Sequence, residues 1–357
     1  MKKMAMILGA LMLMWGCTDY EGEIDGYDFD GGVYLFNGLG DVGTLSVVDD
    51  RGVIFNDVVS LGSIPNHIIE LGGILYVVNS GNNNVQMIDA STLQNKGSIE
   101  LSASSNPMRV AISNRKLYAT NSYGTGVDVY DFDKDSLYTV AITGVPDSCK
   151  NGGTDAIISY GTKVFVGVRN VKYDEFGNGI YGSEYIMLID AANDTVYKTF
   201  EAGMNIADLL INNENELHVL STGNRADIRG FVRVFDLNAI NFDTYSQVDL
   251  GSQPGSFTLD GSGMVYVAVS GFNPDWTGFG GIMKYNSINN EIINGPDSFV
   301  YSSTESGILD ICTDDNGKVY APLFDNNQLV ILESDTVKTV LTTGNGPQGM
   351  VFVKEEK

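Results

Sequence analysis

His67, Arg109, Asp155, Asp208, Ser256 and Asp310, followed by Gly349, each stand at the same place in a repeated pattern, about nine or ten residues ahead of a recurring aromatic position. Three carboxylates, an imidazole, a guanidinium and a hydroxyl could ligate a metal, serve as acid and base, or hydrogen-bond an amide-rich ligand. Spacing alone does not choose among these, and polar residues that line a channel also serve to meet water and to cap backbone amides. Structure or binding therefore ranks above catalysis. With His67 and His218 the only histidines, a multi-histidine metal centre is excluded. His218 occupies one of the aromatic positions and reads as a packed residue. Asp131 to Asp135 has the spacing of a calcium loop but lacks the sixth-position glycine and a bidentate glutamate, so it reads as a solvated turn.

These residues must be positioned by the repeat itself. A short strand of the Leu-Tyr-Val-Val-Asn type recurs at Tyr34, Tyr76, Tyr118, Phe165, His218, Tyr266 and Tyr320, about 40 to 55 residues apart, which is the period of a four-stranded propeller blade. The fold class that follows is all-β, a seven-bladed β-propeller. In the second repeat the strands are expected at Asn66 to Glu70, Ile74 to Asn79, Val85 to Asp89 and Gly97 to Leu101, running from the central channel outward. The chain opens on a second strand, Val33 to Asn37, and closes on an innermost one, Gly349 to Val353, so the two ends should complete one blade and close the ring.

One face of the disc carries tight turns such as Leu71-Gly72-Gly73 and Asp314 to Lys318. On the other, the loops joining second and third strands lengthen from Ser80 to Asn84 in the second blade to Arg169 through Glu184 in the fourth and Ser270 through Gly281 in the sixth. Long loops on a rigid scaffold carry function. They hold Tyr123, Tyr173, Phe176, Tyr181, Phe272, Trp276 and Phe279 among Gly, Asn and Asp, a composition suited to stacking a flat or sugar-like ligand. The competing reading is that these rings pack beneath their own loops. Arg109 and Asp208 are expected as hydrogen-bonding partners below them.

The first seventeen residues combine a basic start at Lys2 and Lys3, an apolar run from Met4 to Met14 and a Gly16-Cys17 exit, the pattern of a secretory signal. The run is too short for a bilayer, which needs about 20 residues. Residues 18–32 carry Asp19, Glu21, Glu23, Asp25, Asp28 and Asp30 without a basic residue and read as an extended tether, leaving 33–357 for the propeller. Twenty-one basic against 45 acidic residues, a net charge of −24, make nucleic acid and anionic headgroups poor partners. Cys149 and Cys312 fall on opposite sides of the ring, too far apart for a disulfide.

Tyr76-Val77-Val78-Asn79-Ser80-Gly81-Asn82-Asn83-Asn84-Val85 and Tyr118-Ala119-Thr120-Asn121-Ser122 resemble the YVTN family of propellers, over Val33 to Val353. Gly16-Cys17 is similar to a lipobox, although Met14 and Trp15 stand where Leu and a small residue are usual, and with the acidic stretch the chain resembles surface lipoproteins of the Bacteroides type, which include cobalamin-capturing proteins seated over TonB-dependent transporters. The resemblance implies lipidation of Cys17, an outer-membrane, cell-surface location, and non-enzymatic capture of a corrinoid for delivery to a transporter. Glycan capture, a lactonase-like hydrolase with metal on Asp155, Asp208 and Asp310, and a protein-binding scaffold are the alternatives. No nucleophile elbow, phosphate-binding glycine loop or paired metal-binding cysteines occur in a suitable context, so no cofactor is expected.

Overall fold

The second strand of each repeat is buried on both faces along almost its whole length, and that single property dictates the architecture. In Ile74–Asn79, Leu75 and Val77 enter one hydrophobic cluster while Tyr76 and Val78 enter the next. Because side chains alternate across a strand, a continuous apolar run needs cover on both faces. Neighbouring blades supply that cover. The computed structural model describes residues 29–239, 242–273 and 277–354; Cys17, the tether up to residue 28 and Trp276 lie outside the described residues.

Seven four-stranded antiparallel sheets form the ring, and the chain is all-β apart from one 3-10 turn, Phe324–Asn326, among the described residues. The second blade is Pro65–Leu71, Ile74–Asn79, Asn84–Asp89 and Asn95–Glu100, within two residues of the expected bounds. The other innermost strands are Pro107–Ser113, Thr154–Tyr160, Ile206–Ile211, Pro254–Leu259, Cys312–Thr313 and Pro347–Val353. Seven hydrophobic clusters each lie between two adjacent blades. The recurring aromatic position reaches across these seams: Tyr34 Oη donates to Ala90 O at 2.6 Å, Tyr118 Oη to Asp194 Oδ1 at 2.7 Å and Tyr266 Oη to Asp335 Oδ1 at 2.9 Å. His218 does the same with an imidazole. It is fully buried, stacked on Tyr285 and 2.9 Å from its hydroxyl through Nδ1.

The asparagine that ends the strand explains the motif's last position. Asn79 Oδ1 accepts from Gly62 N–H at 3.1 Å, tying the crossing between blades to the loop that follows the strand. Ser80 and Gly81 N–H donate to Ile64 O and Ser63 O alongside it, so crossings and second-to-third-strand loops share one face.

Two loops differ from expectation. The fourth-blade insertion carries its own hairpin, Val171–Tyr173 against Gly179–Tyr181. The sixth-blade segment is mostly strand: Met264–Phe272 and Gly278–Asn286 stay paired up to Phe272↔Gly278. Its glycines read as loop residues, but they admit aromatic rings instead, since a Cβ on Gly271 would meet the Phe279 ring at 2.6 Å and one on Gly281 the Phe299 ring at 2.8 Å. Cys149 and Cys312 are buried and unbridged.

Gly32–Asn37 pairs with Pro347–Val353, Val33 against Phe352 and Leu35 against Met350, so the termini share the first blade. Ordered packing begins earlier than Val33: Phe29 is buried against Phe55, and its N–H donates to Ser91 O at 3.0 Å. Removing Pro347–Val353 should therefore expose the apolar faces of both the first and seventh blades. The expected outcome is loss of the cooperative thermal transition, followed by circular dichroism; a truncated chain that still melts sharply near the parent temperature would refute closure as a requirement.

Candidate functional site

Every innermost strand with a full register begins at the long-loop face and bulges at once. The register shifts between Pro65 and His67, Pro107 and Val110, Thr154 and Ile157, Ile206 and Asp208, Pro254 and Ser256, and opposite Phe36 and Asn37 in the closing strand. A bulge adds one residue against the partner strand and re-aims a side chain. Proline at the first position tolerates this because it has no N–H to give to the ladder. The bulges bring His67, Arg109, Asp208, Ser256 and Gly349 to one level, with Asp310 beside them in the irregular stretch before Cys312–Thr313. Asp155 differs from expectation by one position: Ala156 holds the ring level, and Asp155 stands nearer the long-loop face.

Arg109 organises this ring. Its Nη1 lies 3.2 Å from Asp208 Oδ1, its Nη2 donates to Ala207 O at 3.0 Å, and its Nε is 3.8 Å from Asp155 Oδ1, so one guanidinium crosses from the third blade to the fifth. Burial opposes its charge, and the carboxylates of Asp208, Asp155 and Asp310 outweigh burial and raise its pKa. Ser256 Oγ lies 3.1 Å from Asp208 Oδ2 and 2.7 Å from Asp310 Oδ1. Burial pushes the Asp310 carboxyl up, against the hydrogen bonds from Ser256 and Met350. Asp310 Oδ2 accepts from Met350 N–H at 2.7 Å. His67 Nδ1 accepts from Val110 N–H at 3.3 Å, which fixes the proton on Nε2; burial and then Arg109 hold the ring neutral, its pKa down to about 3. The ring borders a channel cavity of about 430 Å³. Among the described residues no three His, Cys, Asp or Glu side chains converge on a point that could hold a metal. Asp155 and Asp208 face the guanidinium between them.

Above the ring, the aromatic residues divide. Tyr123, Tyr173, Phe176 and Phe272 are exposed, the last at 70%. Phe279 packs against the cluster between the fifth and sixth blades, as the competing reading anticipated. Tyr181 lies over Gly179 of its own hairpin, with the Arg225 guanidinium 5.9 Å from its ring centre. A cleft of about 320 Å³ opens between the fifth, sixth and seventh blades, walled by Thr222, Arg225, Gln253, Phe272, Phe324 and Asp325. Leu309 lines both this cleft and the channel cavity, so the two adjoin.

Sequence reasoning missed three features of this face. The fifth-blade loop from Thr222 to Gly230 supplies Arg225, and Asn224 is its signal: its Oδ1 accepts from Ala226 N–H at 3.0 Å and Ile228 N–H at 2.9 Å, an Asx turn that fixes the loop. Arg169 donates through Nη1 to Ser122 Oγ, joining the third- and fourth-blade loops. Glu184 is buried beneath them, its Oε1 accepting from Asn170 N–H at 3.2 Å and its Oε2 from Ile206 N–H at 2.6 Å. Burial raises its pKa to about 7 against the two amides and Arg169.

No protein-family model matches the chain, and no curated protein matches it. Solved structures do. A candidate 6-phosphogluconolactonase from Bacteroides uniformis superposes with a TM-score of 0.63 at 13% identity, covering 91% of this chain and all of that one. Hydrazine synthase of Kuenenia stuttgartiensis gives 0.59 at 14%, over 88% of this chain and 98% of the other, and AztD from Citrobacter koseri 0.54 at 10%, over 92% and 99%. At these identities the likeness is one of fold. The seven-bladed propeller is common ground; the ring and cleft residues belong to this chain's own description.

Two measurements test the electrostatics. Arg109→Ala leaves Asp208 and Asp155, half-buried at the channel mouth, without a counter-charge and should cost about 1–3 kcal/mol of stability by chemical denaturation; a cost below about 0.5 kcal/mol would show that the guanidinium is not the ring's tie. Glu184 has a native pKa above its ordinary 4.5, so the native state retains a proton that the unfolded chain releases. Its contribution therefore declines as pH rises from about 4.5 to 7 and is level above that. His67 and His218, held neutral by burial with pKa values lowered to about 3 and about 4, act in the opposite sense below pH 6.5. Glu184→Gln should gain on the parent between pH 5 and pH 8, by up to about 3 kcal/mol; a difference independent of pH would remove the assignment.

Proposed function

We propose that the protein captures a small molecule on its long-loop face and does not transform it. The observation that carries this reading is the cleft of about 320 Å³, with Phe272 exposed at 70% on its wall and the exposed rings of Tyr123, Tyr173 and Phe176 on the same face. Half-apolar concavities with a few convergent polar groups are the usual form of ligand sites. Binding is favoured over hydrolysis because the ring's carboxylates are engaged: Arg109 lies against Asp155 and Asp208, and Ser256 links Asp208 to Asp310.

A corrinoid is the first ligand to test. Its flat macrocycle would lie across the face, its edge in the cleft of about 320 Å³ and its surface against the exposed rings. The finer picture rests on sequence: lipidation at Cys17 after removal of residues 1–16, an acidic tether over 18–32, anchoring at the outer membrane facing the medium, and delivery to a TonB-dependent transporter. Several acyl chains on one residue give stable anchoring where one is marginal.

Calorimetric titration of the purified protein with cyanocobalamin, repeated with Phe272→Ala and Trp276→Ala, decides the ligand. The expected result is saturable binding weakened at least about tenfold by either substitution. No heat from a protein with an intact thermal transition would sink the corrinoid.

A further inference from the structure

We propose that the cleft between the fifth, sixth and seventh blades is a subsite for a sugar ring bearing an anionic group, with Arg225 as the anion's partner and Phe272 as the ring's. The inference rests on ligand capture at this face and holds whether or not the ligand is a corrinoid.

The first observation is a charge left over where none is expected. The chain has 45 acidic and 21 basic residues, so an arginine should readily find a carboxylate. Arg51, Arg109, Arg115 and Arg233 do, at 2.5, 3.2, 2.7 and 3.6 Å. Among the described residues Arg225 and Arg229 make no such pair, and both stand exposed in the fifth-blade loop. Arg169, in the fourth-blade loop, is hydrogen-bonded to the Ser122 hydroxyl, and its charge acts on the carboxyls of Glu184 and Asp155.

Three carboxylates near the cleft, those of Asp174, Asp227 and Asp325, are committed to the scaffold of this face. Asp174 accepts from Phe176 N–H at 2.9 Å and Asn178 N–H at 2.7 Å, Asp227 accepts from Asn224 Nδ2 at 2.7 Å, and Asp325 Oδ2 accepts from Gly307 N–H at 3.2 Å. The acids thus hold the loops in shape and leave the guanidiniums facing outward. A planar guanidinium with several N–H donors suits phosphate, sulfate or carboxylate better than an ammonium does.

Arg225 is also held in place. Its backbone sits at φ +60°, in the left-handed region, inside the turn that Asn224 closes. Tyr181 lies beneath its guanidinium. A donor fixed before binding loses less entropy when a ligand arrives.

The remaining walls define what the anion is attached to. Phe272 offers an exposed ring for the C–H face of a pyranose. Gln253 and the second oxygen of Asp325 lie on the cleft wall, where they can donate to and accept from hydroxyls. Gly278 and Gly307 form part of the lining, and a Cβ on Gly278 would lie 2.9 Å from Asp325 Oδ2, so a side chain at that position would press on the Asp325 carboxylate. Arginine, one aromatic face and hydroxyl partners together describe an anionic sugar.

The test is ligand-observed NMR titration of the purified protein with glucuronate, glucose 6-phosphate and glucose at one ionic strength. Both anionic sugars, or whichever of uronate and phosphate the site takes, should bind at least about tenfold more tightly than glucose. Arg225→Ala should abolish that preference while leaving the thermal midpoint unchanged. Arg225→Lys should restore part of it, and Phe272→Ala should weaken all three sugars. No binding of either anionic sugar, equal binding of all three, or a preference that survives Arg225→Ala would overturn the subsite. Heat with cyanocobalamin alongside indifference to anionic sugars would retain the capture reading and reject this one.

Discussion

Everything in this molecule depends on covering both faces of each blade. A strand such as Ile74–Asn79, apolar at Leu75, Tyr76, Val77 and Val78, has no solvent face, so no blade can stand alone. Stacking blades side by side covers every face but the outermost two, and bending the stack into a ring covers those as well. The pairing of Gly32–Asn37 with Pro347–Val353 is the step that converts a stack with two exposed ends into one without any. The seam tyrosines and His218 add specific fastening to a non-specific requirement, each bonding the neighbouring blade from a buried position.

Closure also creates the channel, and the chemistry there follows from geometry. Seven strand starts converge on a narrow mouth, where regular pleating would send alternate side chains into the blades. The bulges after Pro65, Pro107, Thr154, Ile206 and Pro254 interrupt that alternation at the mouth. Polar side chains then meet one another across the axis. Arg109 is long enough to span two blades, and its contacts with Asp208 and Asp155 make the mouth a fixed polar floor under the loop face.

The fold was legible because its signal is a period, which survives large local variation. The second blade's strands could be placed to within two residues, and His218 could be recognised as a packed residue from its position alone. The site was less legible. Tyr181 and Phe279 have the same composition signal as Tyr173 and Phe272, yet the first lies on its own hairpin and the second enters the core, because Gly179 and Gly271 leave room for a ring. Glycine is ambiguous in sequence: it marks a turn at Gly72 and a ring-accepting strand at Gly271. Asp155 was one position out because a bulge changes the count without changing the residues. Arg225 carried no motif, and only its lack of a carboxylate partner among the described residues sets it apart.

The net charge of −24 invites a reading in which the whole surface is an acidic docking platform. The placement of the acids argues otherwise. Asp49, Asp89, Asp190, Asp236, Asp260 and Asp314 each accept hydrogen bonds from backbone amides two to four residues on, closing the turns of their blades. Aspartate is chosen there because a short carboxylate satisfies turn amides that have no strand partner. A seven-bladed ring has many such turns, so a large negative charge accumulates as a by-product of building hairpins. That charge is spread around the disc and screened over about 8–10 Å at physiological salt. What a ligand meets at short range is set by the few groups not used for turns, and on the fifth-blade loop those groups include Arg225 and Arg229.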